Sequence, residues 1–354
     1  MKVVFDDIAN NKKKLFFIIL ITGIFLRVLA SLQGFNIDME YWRFGADLLK
    51  YGGKPFDTNN LPYGPLWIHI LFYLDKIPFF VSGEIESLRY KVMLFLTLVD
   101  IVIFYLAIRL HSLTVGLLFF LNPVSIFITG FHSQFGNLAV LIGFLGVIYY
   151  ENNNNNKGFA ICNLLLGVSL FTKHILIFFP LWLAIKEKNW FKKILFCTLP
   201  YIIFYLSFLP FETDLNTILI NIFGYESHRN AIFWKLFSPE PFINYIGFKN
   251  LFILSIILMG FVFEKESKIK SFYFYLISLV LFGMSTANQY LAIPIVAIAF
   301  FWNRFFFLYT VSCCLFFLVD TVGLNIEYLQ NLVGWTRNAT RIGYKIIIIF
   351  LTLG

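Results

Sequence analysis

The sequence predicts an all-α polytopic membrane protein, and three observations carry that prediction. Mean hydropathy is +0.77, and 59% of the 354 residues are hydrophobic while only 14% carry charge. Apolar runs of roughly 15–20 residues recur, the length that crosses a hydrocarbon core about 30 Å thick. The runs are continuous rather than alternating, as in LFFIILITGIFL (15–26), LFILSIILMGFVF (251–263) and FYFYLISLVLFGM (272–284). Continuous runs suit lipid-facing helices and exclude the period of two of a transmembrane barrel. In such a chain the net charge of +8 marks cytosolic loops and substrate sites, so no nucleic-acid partner is expected. Cys162, Cys197, Cys313 and Cys314 lie inside apolar runs without CxxC or Cys/His spacing, and read as small core residues rather than metal ligands.

The first segment, NNKKKLFFIILITGIFLRVLASLQ (10–33), has the basic start and apolar stretch of a signal peptide. Arg27 interrupts it late and many runs follow, so it reads as an uncleaved helix. Lys12, Lys13 and Lys14 then lie in the cytosol and the helix delivers 34–57 to the outer side. KEKNWFKK (186–193) and EKESKIK (264–270) belong on the cytosolic side by the same rule. Parity between these markers requires broken or re-entrant segments. One is 63–80, interrupted by Asp75 and Lys76; the other is 158–185, with Lys173 and His174 at its middle. A mid-bilayer lysine costs roughly 2.5–3.5 kcal/mol, so the second reads as two half-length helices with TKH at the tip between them.

Spans then alternate over 91–110, 114–131 and 135–150, leaving FHSQFGN (131–137) outside and ENNNNNK (151–157) inside as a polar turn. Residues 34–64 form a structured first outer loop, 211–246 a second, and ANQYLAIP (287–294) a third outer turn. Within the first loop a helix is expected over 39–52, ended by Gly52 or Gly53 in the left-handed conformation. Four polar clusters, DME (38–40), HSQFGN, TKH (172–174) and NQY (288–290), thus face one side of a single domain spanning 1–354. There they line a water-accessible cavity.

In order and spacing, IDMEYWRFGADLLKYGGKPFD (37–57), LPYGPLWIHI (61–70), NPVSIFITGFHSQFGNL (122–138), TKHILIFFP (172–180) and NQYLAIP (288–294) resemble the GT-C superfamily of integral-membrane glycosyltransferases. The similarity covers most of the chain and is closest in style to the polyprenyl-phosphate-sugar-dependent mannosyltransferases. The family's acidic pair is often Asp-x-Asp, whereas here it is Asp38-x-Glu40. The resemblance implies a GT-C-like bundle of roughly 10–13 transmembrane helices. It implies transfer of a hexose, mannose foremost, from a polyprenyl- or dolichyl-phosphate sugar to an extracytoplasmic glycan or glycolipid, with no divalent metal or other cofactor. The expected location is the plasma (inner) membrane, multi-pass, with membrane lipid as surroundings and the active site extracytoplasmic.

Such transfer needs a base to take the acceptor's hydroxyl proton, and cations or donors to stabilise the departing phosphate. Asp38 is the expected base, in competition with a plain capping role for the helix that follows. Glu40, two residues on, faces elsewhere on that helix and is the second catalytic candidate. Lys173 is expected on the phosphate, with His174 as ligand or polar neighbour. His132, Gln134 and Asn137 flank a helix start and are assigned to substrate or phosphate, a cap being the competing role for His132. Arg27, about three turns before Asp38, braces the phosphate or anchors headgroups. His228 and Arg229 are read as second-loop substrate contacts, and Gln289 and Tyr290 as cavity lining. Asp100 reads as a brace for a neighbouring helix, and Asp320 has no assigned partner. Asp100, Lys173 and Asp320 around a broken helix leave a multi-pass transporter or lipid flippase as the alternative, although no inverted repeat relates the halves.

Overall fold

The computed structural model describes residues 2–58, 61–79, 81, 83–223, 231–284, 287–333 and 337–354, and every regular element among them is helical. Helix α1 (Lys2–Ser31) carries its apolar stretch over Lys13–Ser31 and stops short of Gly34, whose φ of +128° suits glycine alone. Helix α2 (Asp38–Lys50) is amphipathic, burying Met39, Trp42 and Ala46 at helical spacing. Gly52, at φ +74°, ends it in the left-handed conformation, and the Gly53 N–H donates back to the Leu48 carbonyl at 2.7 Å. A 3-10 turn (Pro55–Asp57) leads to α3 (Pro65–Lys76), which opens on proline where a helix needs no N–H.

Helix α4 (Glu84–Leu110) is uninterrupted; the apolar run that follows it is cut. Helices α5 (Leu113–Phe120) and α6 (Pro123–Gly130) are bent by 48°, because Pro123 has no N–H to continue the ladder and Asn122 caps α6 through its Oδ1. Helix α7 (Gly136–Asn152) turns through the asparagine run, where Asn155 caps α8 (Asn156–Leu170). The chain then breaks at Thr172 and Lys173, and resumes as a 3-10 turn (His174–Leu176) and α9 (Phe179–Lys186), the half-length pair expected from a lysine in an apolar run. Helix α10 (Trp190–Leu206) follows. The 211–246 region is largely helical rather than plain loop: α11 (Leu215–Phe223), α12 (Ile232–Phe237) and α13 (Glu240–Ile246). Helix α14 (Phe248–Val262) leaves α13 at 88° across Gly247. The rest comprises α15 (Lys268–Phe282), a 3-10 turn (Asn288–Ala292), α16 (Ile295–Phe300), α17 (Arg304–Val319), α18 (Glu327–Val333) and α19 (Arg337–Leu353).

Among the described residues three helices are long and apolar enough to cross a membrane: Lys13–Ser31, Glu84–Leu110 and Trp190–Phe211. The number rises to five if each of two bent pairs is one span. This is fewer than the resemblance implies, because prolines and polar breaks divide the remaining apolar runs into pieces too short to cross alone. Cys162 and Cys313 are buried as expected, while Cys197 is exposed on α10.

Helix α7, 17 residues and about 25 Å long, separates two polar ends. At the Asn152 end the three loops expected in the cytosol meet. Tyr150 donates to Glu187 at 2.5 Å, Lys268 Nζ lies 3.6 Å from Glu151, and Lys186 Nζ donates to the carbonyls of Phe263, Glu264 and Glu266 at 2.6, 2.6 and 2.7 Å. At the Gly136 end lie the segments around Asp38, Gln134 and Lys173.

Between the ends sits a fully buried ion pair. Asp100 on α4 accepts from Arg27 Nε at 3.0 Å, Thr129 Oγ1 at 2.7 Å and Asn137 Nδ2 at 2.7 Å. Arg27 also donates to the Gly23 and Phe120 carbonyls and to Ser125 Oγ. Arg27 and Asn137, both expected on substrate, are thus engaged with Asp100, and the cluster pins α1, α4, α6 and α7 together. Asp320, unassigned from sequence, accepts from Asn288 Nδ2 at 3.0 Å and from the Val322 N–H at 3.2 Å, and Tyr344 donates to Asn288 Oδ1 at 2.5 Å.

Candidate functional site

Three segments far apart in sequence converge on one carboxylate. Asp38 is the first residue of α2 and does not cap it; the N-cap position is Ile37. The Asp38 N–H instead donates to Asn36 Oδ1 at 2.9 Å, an Asx turn that does the work of a cap from two residues upstream. This leaves the Asp38 carboxylate free to receive Gln134 Nε2. Gln134 arrives from the 131–137 turn, where Ser133 holds a φ of +52°, a left-handed conformation costing a non-glycine residue about 1–3 kcal/mol.

The other end of the Gln134 amide faces the break after α8, its Oε1 accepting from Lys173 Nζ at 3.4 Å. The ammonium lies 4.8 Å from the Phe135 ring centre and 5.5 Å from that of Tyr63, within cation–π range. Phe135 in turn stacks on Trp67 at 4.0 Å and meets Trp42 edge-on at 5.6 Å. These rings make the apolar wall that excludes water from the lysine. Gly64 makes the approach possible: the Leu66 N–H donates to the Phe171 carbonyl at 3.2 Å, and a Cβ on Gly64 would fall 1.9 Å from that same oxygen.

Burial raises the Asp38 carboxyl above its ordinary value, with the Lys173 charge and the Gln134 hydrogen bond pulling the other way. Burial also lowers Lys173, to about 8, against the opposing pull of Asp38. A carboxyl raised and an ammonium lowered by the same burial are perturbations that cluster at functional sites. His132 is fully buried behind this pair, its Nδ1 2.9 Å from Asn36 Nδ2. Burial drives it down to about 3, the Val322 backbone offsetting part of the effect.

The predicted residues thus divide. Asp38, Gln134 and Lys173 come together, and His132 reaches them through Asn36. Glu40, the second catalytic candidate, is exposed on the first turn of α2 and faces elsewhere than Asp38, as the i, i+2 spacing predicts. Met39 and Trp42 carry the buried face of that helix instead. His174 is half-buried beside Lys173, at the start of the 3-10 turn. Gln289 and Tyr290 are half-buried on the turn that packs against α6 and α7, where Asn288 is the buried polar residue. His228 and Arg229 lie outside the described residues. Sequence reasoning missed Asn36; its signal was an Asx residue two positions before a helix start. Among the described residues no three His, Cys, Asp or Glu side chains gather as metal ligands would.

A cavity of about 390 Å³ opens elsewhere, lined by Arg43, Lys50, Asp75 and Lys91 among others. Its arginine is already neutralised by Asp47, Asp75 and Glu84, all within 3.0 Å, so the Asp38 cluster is the better site. Comparison with protein-family models, with curated proteins and with solved structures finds no match to this chain.

Proposed function

We propose that this protein is a membrane glycosyltransferase that moves a hexose from a polyprenyl-phosphate sugar to a glycan or glycolipid acceptor. The single observation that supports it is the convergence of Asp38, Gln134 and Lys173 at one end of an apolar helical bundle. In this reading the acceptor hydroxyl attacks the anomeric carbon, its proton passes to Asp38, and the bond from that carbon to the phosphate oxygen breaks. The lipid phosphate leaves as an anion beside Lys173. The 3.4 Å contact between Lys173 and Gln134 is at the loose edge of hydrogen bonding, so the lysine can exchange it for a phosphate oxygen. The apolar wall of Phe135, Trp42 and Trp67 strengthens that charge interaction by excluding water. A lysine at this position supplies the positive charge that nucleotide-sugar enzymes draw from a divalent ion.

The site is assigned to the extracytoplasmic end of a plasma (inner) membrane protein, because the lysine-rich loops gather at the opposite end. The test is transfer from a short-chain polyprenyl-phosphate sugar in detergent, together with mass spectrometry of lipid-linked and surface glycans from cells with and without the protein. Asp38→Asn should abolish transfer while donor binding stays within about threefold, and Glu40→Gln should be nearly silent. Both variants retaining full activity would defeat the reading. A transporter or flippase is favoured by one observation, the charged tip of the broken α8/α9 pair; substrate flux into liposomes without a glycosylated product would establish that alternative.

A further inference from the structure

Asp38 is gripped twice by one turn. Gln134 takes its carboxylate, and His132, two residues earlier, takes its main chain through Asn36. Between them Ser133 holds the left-handed backbone that turns both side chains toward α2. The orientation of the Asn36 amide is fixed by chemistry. A main-chain N–H can only donate, so the Asn36 atom facing the Asp38 N–H must be Oδ1, and the atom facing His132 must be Nδ2. That nitrogen also only donates, so His132 Nδ1 accepts. An imidazolium carries a proton on both nitrogens and cannot accept there; a neutral ring that accepts at Nδ1 carries its proton on Nε2.

We infer that Asn36 and His132 are positioning residues that fix the entry of α2 so that the Asp38 carboxylate faces Gln134 and Lys173, with His132 locked as the neutral Nε2–H tautomer. The inference rests on the reading of Asp38 as the base, but its structural half does not. Asn36 is 6% exposed and His132 0%, so the link is shielded from competing water. The backbone of Val322, in the turn after α17, neighbours the ring, and Nε2 makes no hydrogen bond among the described residues, so the tautomer is set by the Nδ1 contact alone.

The experiment uses the full chain in nanodiscs with histidines labelled at the ring nitrogens. The His132 signals are assigned by their loss in His132→Gln. The expected wild-type spectrum is a neutral ring protonated at Nε2 and unchanged between about pH 8 and about pH 5, where an ordinary histidine gains charge. In Asn36→Asp the side chain still accepts the Asp38 N–H but presents an acceptor to Nδ1, so the proton should move to Nδ1 or the ring should become cationic. A wild-type ring protonated at Nδ1, or a spectrum indifferent to Asn36→Asp, would overturn the inference. In the transfer assay, Asn36→Leu should lower kcat about tenfold or more with donor KM nearly constant, the signature of a misplaced base rather than a lost binding contact. Unchanged kcat in a folded Asn36→Leu protein overturns the positioning role. Wild-type protein without transfer activity but with the expected spectrum would sink the glycosyltransferase reading and leave the tautomer lock standing.

Discussion

Gln134 holds Asp38 through an Nε2–H bond to Oδ2 that bridges 96 residues of sequence. The same amide accepts from Lys173, so one neutral side chain separates and orients a half-buried carboxylate and a buried ammonium. Replacing it by glutamate keeps the shape and reverses the hydrogen bond. Two carboxylates would then share the site, and one must take up a proton. Gln134→Glu should lower transfer turnover at least tenfold, about 1.4 kcal/mol of transition-state stabilisation, measured against donor binding in parallel.

The pH dependence of that turnover follows from the two shifted groups. The proposed transfer uses Asp38 ionised and Lys173 charged, so its rate should rise with an acid limb above the ordinary aspartate value and fall on an alkaline limb near the Lys173 value of about 8. The limbs belong to the coupled pair. Lys173→Arg should remove the alkaline limb, since a guanidinium stays charged. Stability carries the opposite signs. The folded state holds the Asp38 proton more tightly than the unfolded chain, so this group's contribution declines as pH rises through its window. It holds the Lys173 proton less tightly, so stability should increase from about 8 toward the ordinary lysine value of 10.5. Pulse proteolysis across pH in detergent measures both.

Arg27 and Asp100 should behave as a structural pair. Asp100→Leu leaves a fully buried guanidinium without its carboxylate and should cost about 3–5 kcal/mol of stability. The double variant Arg27→Met, Asp100→Leu should recover most of it, because the desolvation cost of both charges is removed together. Unfolding midpoints of single and double variants decide this. A double variant no more stable than Asp100→Leu alone would show that the pair's hydrogen-bond partners, Thr129 and Asn137, carry the energy.

Sidedness is testable at exposed positions that leave both sites intact. In a background lacking Cys162, Cys197, Cys313 and Cys314, Glu40→Cys should react with a membrane-impermeant thiol reagent on whole cells. Lys188→Cys, exposed at the opposite end, should react only after the membrane is opened. The reverse pattern would move the site to the cytosol.

What the sequence made legible was wherever one residue type conflicted with its surroundings. Lys173 in an apolar run announced a break, and the break is there. Gly52 after a short amphipathic stretch announced a helix end, and it adopts the required φ. The partner of Arg27 and Asn137 was not legible, because a buried polar side chain satisfied by a distant carboxylate looks, in sequence, like one awaiting a ligand; Asp100 lies 73 and 37 residues away from them. How the apolar runs are cut into helices was less legible, because hydropathy counts apolar residues without registering how far a proline or an asparagine cap shortens the helix, as at Asn122 and Pro123. That Asp38 and Glu40 face different ways was legible from their i, i+2 spacing, but the Asx turn at Asn36 and the Asp38 contact with Gln134 were not.

The clasp at the lysine-rich end has a consequence in time. Lys186 closes α9 by donating to three carbonyls, the farthest 80 residues ahead of it. Helix α9 has only eight residues, too few to cross a bilayer by itself. At the usual pace of synthesis, about 5–20 residues per second, the ribosome needs roughly 4–16 s to supply those carbonyls. For that interval a nascent chain carries a half-length helix whose terminal ammonium lacks all three of the carbonyls that it later binds.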